Sequence, residues 1–145
     1  MIPKIRPIAV ILSRFEDPRL NTGHIQLIAG AQAHAECVSL KQDMLIVICV
    51  PRMSSPRDDL FSFETRKAML STQLEGFPLE HILAIEDRAN NDPSENSLWS
   101  MNLDELIAQY SKNRPVIIYG SQDCSALCGS YTGRYKTHHI ETTGI

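Results

Sequence analysis

Met44-Leu-Ile-Val-Ile-Cys-Val50 is an unbroken run of seven apolar residues closed by Pro51. A strand with one wet face alternates apolar and polar residues, so a run without alternation predicts a strand covered on both faces, as in parallel sheets. Pro51 lacks the N–H a central ladder needs and marks the end of the strand. Upstream, Pro7-Ile-Ala-Val-Ile-Leu-Ser13 has the same character. Between the two lie a polar loop, Arg14 to Thr22, and a segment from Gly23 in which Leu27, Ile28, Ala31, Ala35 and Val38 recur at helical spacing. The spacing predicts a helix of about four turns with one face inward.

Downstream the alternation continues. Arg52 to Leu60 is a polar loop, and Ser62 is a candidate N-cap for a helix carrying Glu64 in its first turn and turning Phe63, Met69, Leu70 and Leu74 inward. Gly76 and Pro78 stop that helix. His81 to Glu86 reads as a third strand and Asp87 to Asn91 as a loop. Asp92-Pro93-Ser94-Glu95 then combines an Asp cap, a proline at the first helical position and a glutamate at the third. Trp99, Leu103, Leu106 and Tyr110 share one face of the helix that follows. Pro115 to Gly120 reads as a fourth strand and Lys136 to Glu141 as a weaker fifth, with His138, Ile140 and Thr142 on one side. Strands separated by helices pair in parallel through right-handed crossovers, which predicts an α/β fold: an open, doubly wound parallel sheet with helices on both faces.

The chain has 145 residues, with 43% hydrophobic and 21% charged residues. That length favours one domain over 1–145, and the composition is that of an ordinary globular protein. A net charge of -3 argues against broad capture of nucleic acid or an anionic membrane. The longest apolar stretch is too short to span a bilayer, and Met1 to Pro7 makes a poor secretory signal, so the expected location is cytoplasmic. Cys37 and Cys49 read as small buried hydrophobes. Cys124 and Cys128, followed by His138 and His139, lack the paired knuckle spacing of a structural zinc site, and reduced thiols are the expectation.

In such a sheet ligands sit beyond the carboxyl ends of the strands, near the point where strand order reverses. Neither a G-x-G-x-x-G after the first strand nor a Walker loop occurs. The first loop offers Ser13, Arg14 and Phe15 at the strand end and Asn21, Thr22, Gly23 and His24 at the helix start. Free N–H groups at a helix N-terminus, a glycine that admits close approach and an imidazole donor make a cradle for a polyphosphate. Asn21 and His24 as plain helix caps is the structural alternative.

Ser13-Arg14-Phe15 with Asn21-Thr22-Gly23-His24 resembles the G-R-F…H-x-G-H signature of the nucleotidylyltransferase superfamily, in its nicotinamide mononucleotide adenylyltransferase-like branch. Arg57 to Lys67 resembles that branch's R-x-N-P-F-[ST]-x-E-x-R helix entry. Trp99 resembles the tryptophan packed near the nicotinamide ring, and Tyr119-Gly120-Ser121-Gln122-Asp123 is similar to the segment beside the adenine. The resemblance implies a Rossmann-like fold of nucleotidylyltransferase type and transfer of a nucleotidyl group from a nucleoside triphosphate, ATP by analogy, to a small phosphorylated acceptor, with release of pyrophosphate and Mg2+ brought in on the nucleotide. It implies catalytic roles for His24, Asn21 and Arg14. Ser13, Phe15, Thr22, Gly23, Gly120, Ser121 and Asp123 would contact the nucleotide, and Arg52, Arg57 and Trp99 the acceptor. No residues are implied as metal ligands, no nucleic-acid or membrane partner is implied, and self-association into a homo-oligomer is left open.

Each of these residues also has a structural reading. Arg52 and Arg57 can pair with Asp58 and Asp59, Glu64 and Arg66 can set the helix entry, Trp99 can pack in the core, and Gly120 with Asp123 can form a turn. Two features depart from the family pattern. Asn21 replaces the first histidine and cannot carry charge. The chain ends at Thr142-Thr143-Gly144-Ile145, where the family's I-S-x-T-x-x-R loop is expected: either the sequence stops as that loop begins or the protein lacks it. The competing readings are a nucleotide-binding or regulatory module of the same fold without catalysis, and an unrelated doubly wound binding domain.

Overall fold

A computed structural model describes residues 6–13, 22–51, 63–87, 93–121 and 131–142. The elements are β1 (Ile8–Ser13), α1 (Thr22–His34), α2 (Leu40–Asp43), β2 (Met44–Pro51), α3 (Phe63–Gln73), β3 (Ile82–Asp87), α4 (Pro93–Ser111), β4 (Val116–Gly120) and β5 (Lys136–His139). The strands form one sheet in the order β3-β2-β1-β4-β5, with every adjacent pair parallel. This is the doubly wound α/β, Rossmann-like arrangement that the apolar runs predict.

The two runs without alternation lie in the middle of the sheet because both of their faces are needed. Val10 and Leu12 of β1, with Leu45 and Val47 of β2, pack into one layer with Trp99, Leu103 and Ile107 of α4. Ala9 and Ile11, with Ile46 and Ile48, pack into the other with Leu27, Ile28 and Ala31 of α1 and Leu70 of α3. Helices α1 and α3 follow crossovers that move toward β3, and α4 carries the chain back across the sheet, so right-handed crossovers place them on opposite faces.

Helix α1 ends earlier than its apolar spacing predicts. Glu36 adopts φ 57, the Cys37 N–H bonds the Gln32 carbonyl at 3.0 Å, and the Glu36 N–H bonds the Ala33 carbonyl at 3.3 Å, which is a Schellman closure. Ala35 is buried, but the chain has reversed before Val38, which is 73% exposed rather than on the inward face. Cys49 is buried as expected, whereas Cys37 is only half-buried. Helix α3 ends as predicted, with Gly76 at φ 80 donating to the Ser71 carbonyl at 2.8 Å and Ser71 Oγ donating to the Phe77 carbonyl at 2.6 Å.

The chain between β4 and β5 is pinned to α4 by polar contacts. The Tyr131 hydroxyl donates to Asp104 Oδ1, the Arg134 N–H donates to Asp104 Oδ2 at 3.0 Å, and the Thr132 N–H donates to Ser100 Oγ at 2.9 Å. Burial and the Asp104 carboxylate push the Tyr131 hydroxyl well above its usual range, so it stays a donor. Gly133 sits against this group, and a Cβ there would overlap both Tyr131 Oη and Asp104 Oδ1. Gly133→Ala is therefore expected to cost about 1–3 kcal/mol of stability through overpacking, read as a lower denaturation midpoint with an unchanged denaturant slope.

Candidate functional site

Strand order reverses between β1 and β4, since the chain runs outward from β1 to β2 and β3 and returns to β4 on the other side of β1. Ile11 stands level with Tyr119, so two residues further along each strand Ser13 is level with Ser121 at the carboxyl ends. Both serines are fully buried. The chain leaving Ser13 returns in α1, whose first turn carries Thr22, Gly23 and His24. Gly23 is buried and His24 is 3% exposed. The carboxyl-end rim of the switch point thus carries Ser13 and Ser121, and the 13-residue helix that follows β1 begins on that side with its N-terminal amides. Those amides carry partial positive charge without any cationic side chain, a surface suited to an anion.

Of the residues that sequence resemblance assigns to a site, Ser13, Gly23, His24, Gly120 and Ser121 are brought to this one rim. Gly120 is the last residue of β4, and its carbonyl accepts from the Ile140 N–H at 2.9 Å. Trp99 lies in the α4 layer, 1% exposed, meeting Tyr131 edge-on at 6.3 Å between ring centroids. Its packing there is that of a core residue. Arg14, Phe15, Asn21, Arg52, Arg57 and Asp123, with the Thr22 side chain, lie outside the described residues, as do Cys124 and Cys128.

Arg66 is a residue whose burial the sequence reading does not anticipate. It is 3% exposed in the first half of α3, the helix that follows the carboxyl end of β2. The signal was available: Arg66 stands four residues before Leu70, which is 2% exposed on the inward face of α3. Among the described residues no group of three or more His, Cys, Asp or Glu side chains is arranged to hold a metal ion. The N-terminal amides of α1 suit phosphate oxygens, and a divalent cation arriving on those oxygens would be carried by the ligand itself.

No protein-family model matches the chain, and no curated protein sequence does. Among solved structures it is similar to a bifunctional NMN adenylyltransferase/ADP ribose pyrophosphatase from Francisella tularensis, solved in complex with AMP and a manganese ion. The TM-score is 0.65 at 18% identity, over 97% of this chain and 38% of that one. A second structure of the Francisella tularensis protein gives the same TM-score and identity, with 39% of its chain covered. The chain therefore spans less than two-fifths of the length of the proteins it matches. The likeness is one of fold: a five-stranded parallel sheet with helices, of the Rossmann-like α/β kind. Among the described residues no helix is long and apolar enough to cross a membrane.

Proposed function

We propose that this chain is a nucleotidylyltransferase that transfers an adenylyl group from ATP to a small phosphorylated acceptor of the nicotinamide mononucleotide kind and releases pyrophosphate. The observation that carries the reading is the reversal of strand order between β1 and β4, with Ser13 at the end of β1 and Ser121 just past the end of β4, the kind of crevice where a doubly wound sheet takes its ligands. The fold likeness to structures that include an AMP complex supports it.

In-line displacement at the α-phosphate needs no protein nucleophile, so the work of the site is alignment and neutralisation of charge. His24 donates to the α- or β-phosphate, Asn21 orients it, and Arg14 with the α1 amides holds the polyphosphate. Ser13, Phe15, Thr22 and Gly23 line the phosphate side, and Gly120, Ser121 and Asp123 the base side. Arg52 and Arg57 serve the acceptor, and Trp99, packed in the α4 core layer, takes no part. Mg2+ bound on the triphosphate would supply neutralisation of charge at the leaving pyrophosphate.

Calorimetric titration with ATP and Mg2+, followed by a pyrophosphate-release assay with nicotinamide mononucleotide, tests the reading. Saturable binding with release is the expected result. Binding without release selects the non-catalytic module, which the uncharged Asn21 favours, and absence of binding removes both.

A further inference from the structure

Three rings from three elements meet on the α1 side of the β5 edge. His34, in the last turn of α1, has its Nδ1 2.7 Å from Tyr119 Oη of β4. The rings of His34 and His138 of β5 stack, with centroids 3.8 Å apart and planes inclined by 22°. Tyr119 meets both rings edge-on, at 5.5 and 5.7 Å. Tyr119 is fully buried, His138 is half-buried and His34 is exposed, so the two imidazoles close over a buried hydroxyl.

This stack holds down an otherwise lightly secured strand. Lys136, Thr137 and His139 of β5 are exposed. His138 stands opposite Tyr119 in the β4–β5 register. Two residues on, Ile140 donates its N–H to Gly120 and lies so close over Gly30 that a Cβ there would sit 2.9 Å from Ile140 Cγ2.

The charges around the stack are unfavourable to a proton. The groups involved are His34 of α1 and Cys37 just beyond it, Tyr119 of β4, and Lys136, His139 and Glu141 on β5 and the residues after it. Glu141 lies 3.7 Å from His139, on the side of the strand away from the stack. Among the described residues neither stacked imidazole has a carboxylate partner. Burial, with the nearby Cys37, pushes Tyr119 up to about 12, so its hydroxyl keeps its proton. It can then donate to His34 Nδ1. Burial first, then the charges of His34 and His139, holds His138 below the ordinary histidine value of 6.5. A histidine whose folded pKa lies below its unfolded one resists protonation in the closed arrangement. The stability that follows is complete above about pH 6.5 and is lost as pH falls below it.

We propose that the His34–Tyr119–His138 stack is a proton-operated latch: with the His138 imidazole neutral it holds β5 against α1 and β4, and uptake of a proton by His138 releases the strand and with it the Gly120 carbonyl. The latch does not depend on the nucleotidyl-transfer reading.

Hydrogen exchange of the full chain at pH 7.5 and 5.5, corrected for intrinsic rates, tests it. The Ile140 amide is the probe, and the β1 and β2 amides are the internal reference. Protection at Ile140 should fall by up to about tenfold between the two pH values, the limit set by the one pH unit between 5.5 and the unfolded histidine value of about 6.5, while the central strands are unchanged. His138→Phe keeps a stacking ring without a titrating group and should hold Ile140 protected at both pH values. His138→Gln removes the titrating group while keeping a planar polar side chain and should flatten the dependence as well, which covers the case in which the phenylalanine variant fails to fold. Protection at Ile140 that ignores pH in the native chain overturns the proposal, as does an acid-induced loss that persists in the folded variants.

Discussion

Arg114→Ala is expected to lower stability by about 3–5 kcal/mol, the usual cost of stripping a buried carboxylate of its main partner. For a chain of this size that corresponds to a fall in Tm of about 10–15 °C. The reason lies at the amino-terminal edge of the sheet, the rim opposite the candidate site. The Asp43 side chain, at the end of α2, is 2% exposed, and Arg114 Nη2 bonds its Oδ1 at 2.8 Å. The same guanidinium donates to the carbonyls of Arg6, Gln42 and Pro7, at 3.2, 3.1 and 3.3 Å. Asp43 Oδ2 meanwhile accepts the Val38 and Ser39 amides at 3.0 and 3.3 Å and lies 3.4 Å from Arg6 Nε. One arginine thus joins the starts of β1, β2 and β4.

Burial acts to raise the Asp43 pKa, but the Arg114 hydrogen bond, the Ser39 and Val38 amides and the Arg6 charge outweigh it, and the net direction is down. A carboxylate whose folded pKa is depressed adds stability that is present above its unfolded value of about 3.9 and is lost as pH falls through the folded one. The native chain should therefore lose part of its stability on acidification below about pH 4. The Arg114→Ala variant, having lost that part already, should show a shallower decline. Equal acid profiles for the two chains, or a Tm within about 2 °C of the native value, would show that the cluster is worth no more than a surface ion pair.

His24→Ala is expected to lower the rate of pyrophosphate release about 10²–10³-fold, the range found when one preorganised donor is removed from a centre where charge develops. With His24 only 3% exposed, truncation also removes packing, and some stability loss should accompany the rate loss. His24→Asn separates the two effects by keeping a polar side chain of similar reach. If His24 serves the phosphates, the asparagine variant regains most of the Tm but little of kcat, and ATP affinity changes far less than turnover. A folded variant with native kcat would identify His24 as a helix cap.

The central fold was legible because β1 and β2 need cover on both sides, and only unbroken apolar runs satisfy that need. Helix α4 was legible at Pro93 and along its Trp99, Leu103, Leu106 and Tyr110 face, although Leu106 and Tyr110 are only partly buried and Ile107, which the pattern did not single out, is in the core. Val38 was misread because periodicity cannot register a left-handed residue two positions earlier, at Glu36. Asp43 and Arg114 were silent in the sequence, since 71 residues separate them and neither has a local pattern. The stacking of His34 on His138 depends on how closely α1 approaches β5, a tertiary distance that no window of sequence holds. At the candidate site, the strand tips and the start of α1 followed from topology. Arg14, Asn21, Arg52, Arg57 and Asp123 rest on sequence resemblance alone.

The Arg114–Asp43 cluster and the β1/β4 reversal lie at opposite rims of the sheet, and this separation bears on how such a scaffold diversifies. Substitutions among the turns that leave the strand tips can trade one ligand for another without touching the polar knot that ties the strand starts together. For protein engineering the practical corollary is asymmetric: the tip-side turns are the place to graft new chemistry, whereas the far rim is better left as it stands.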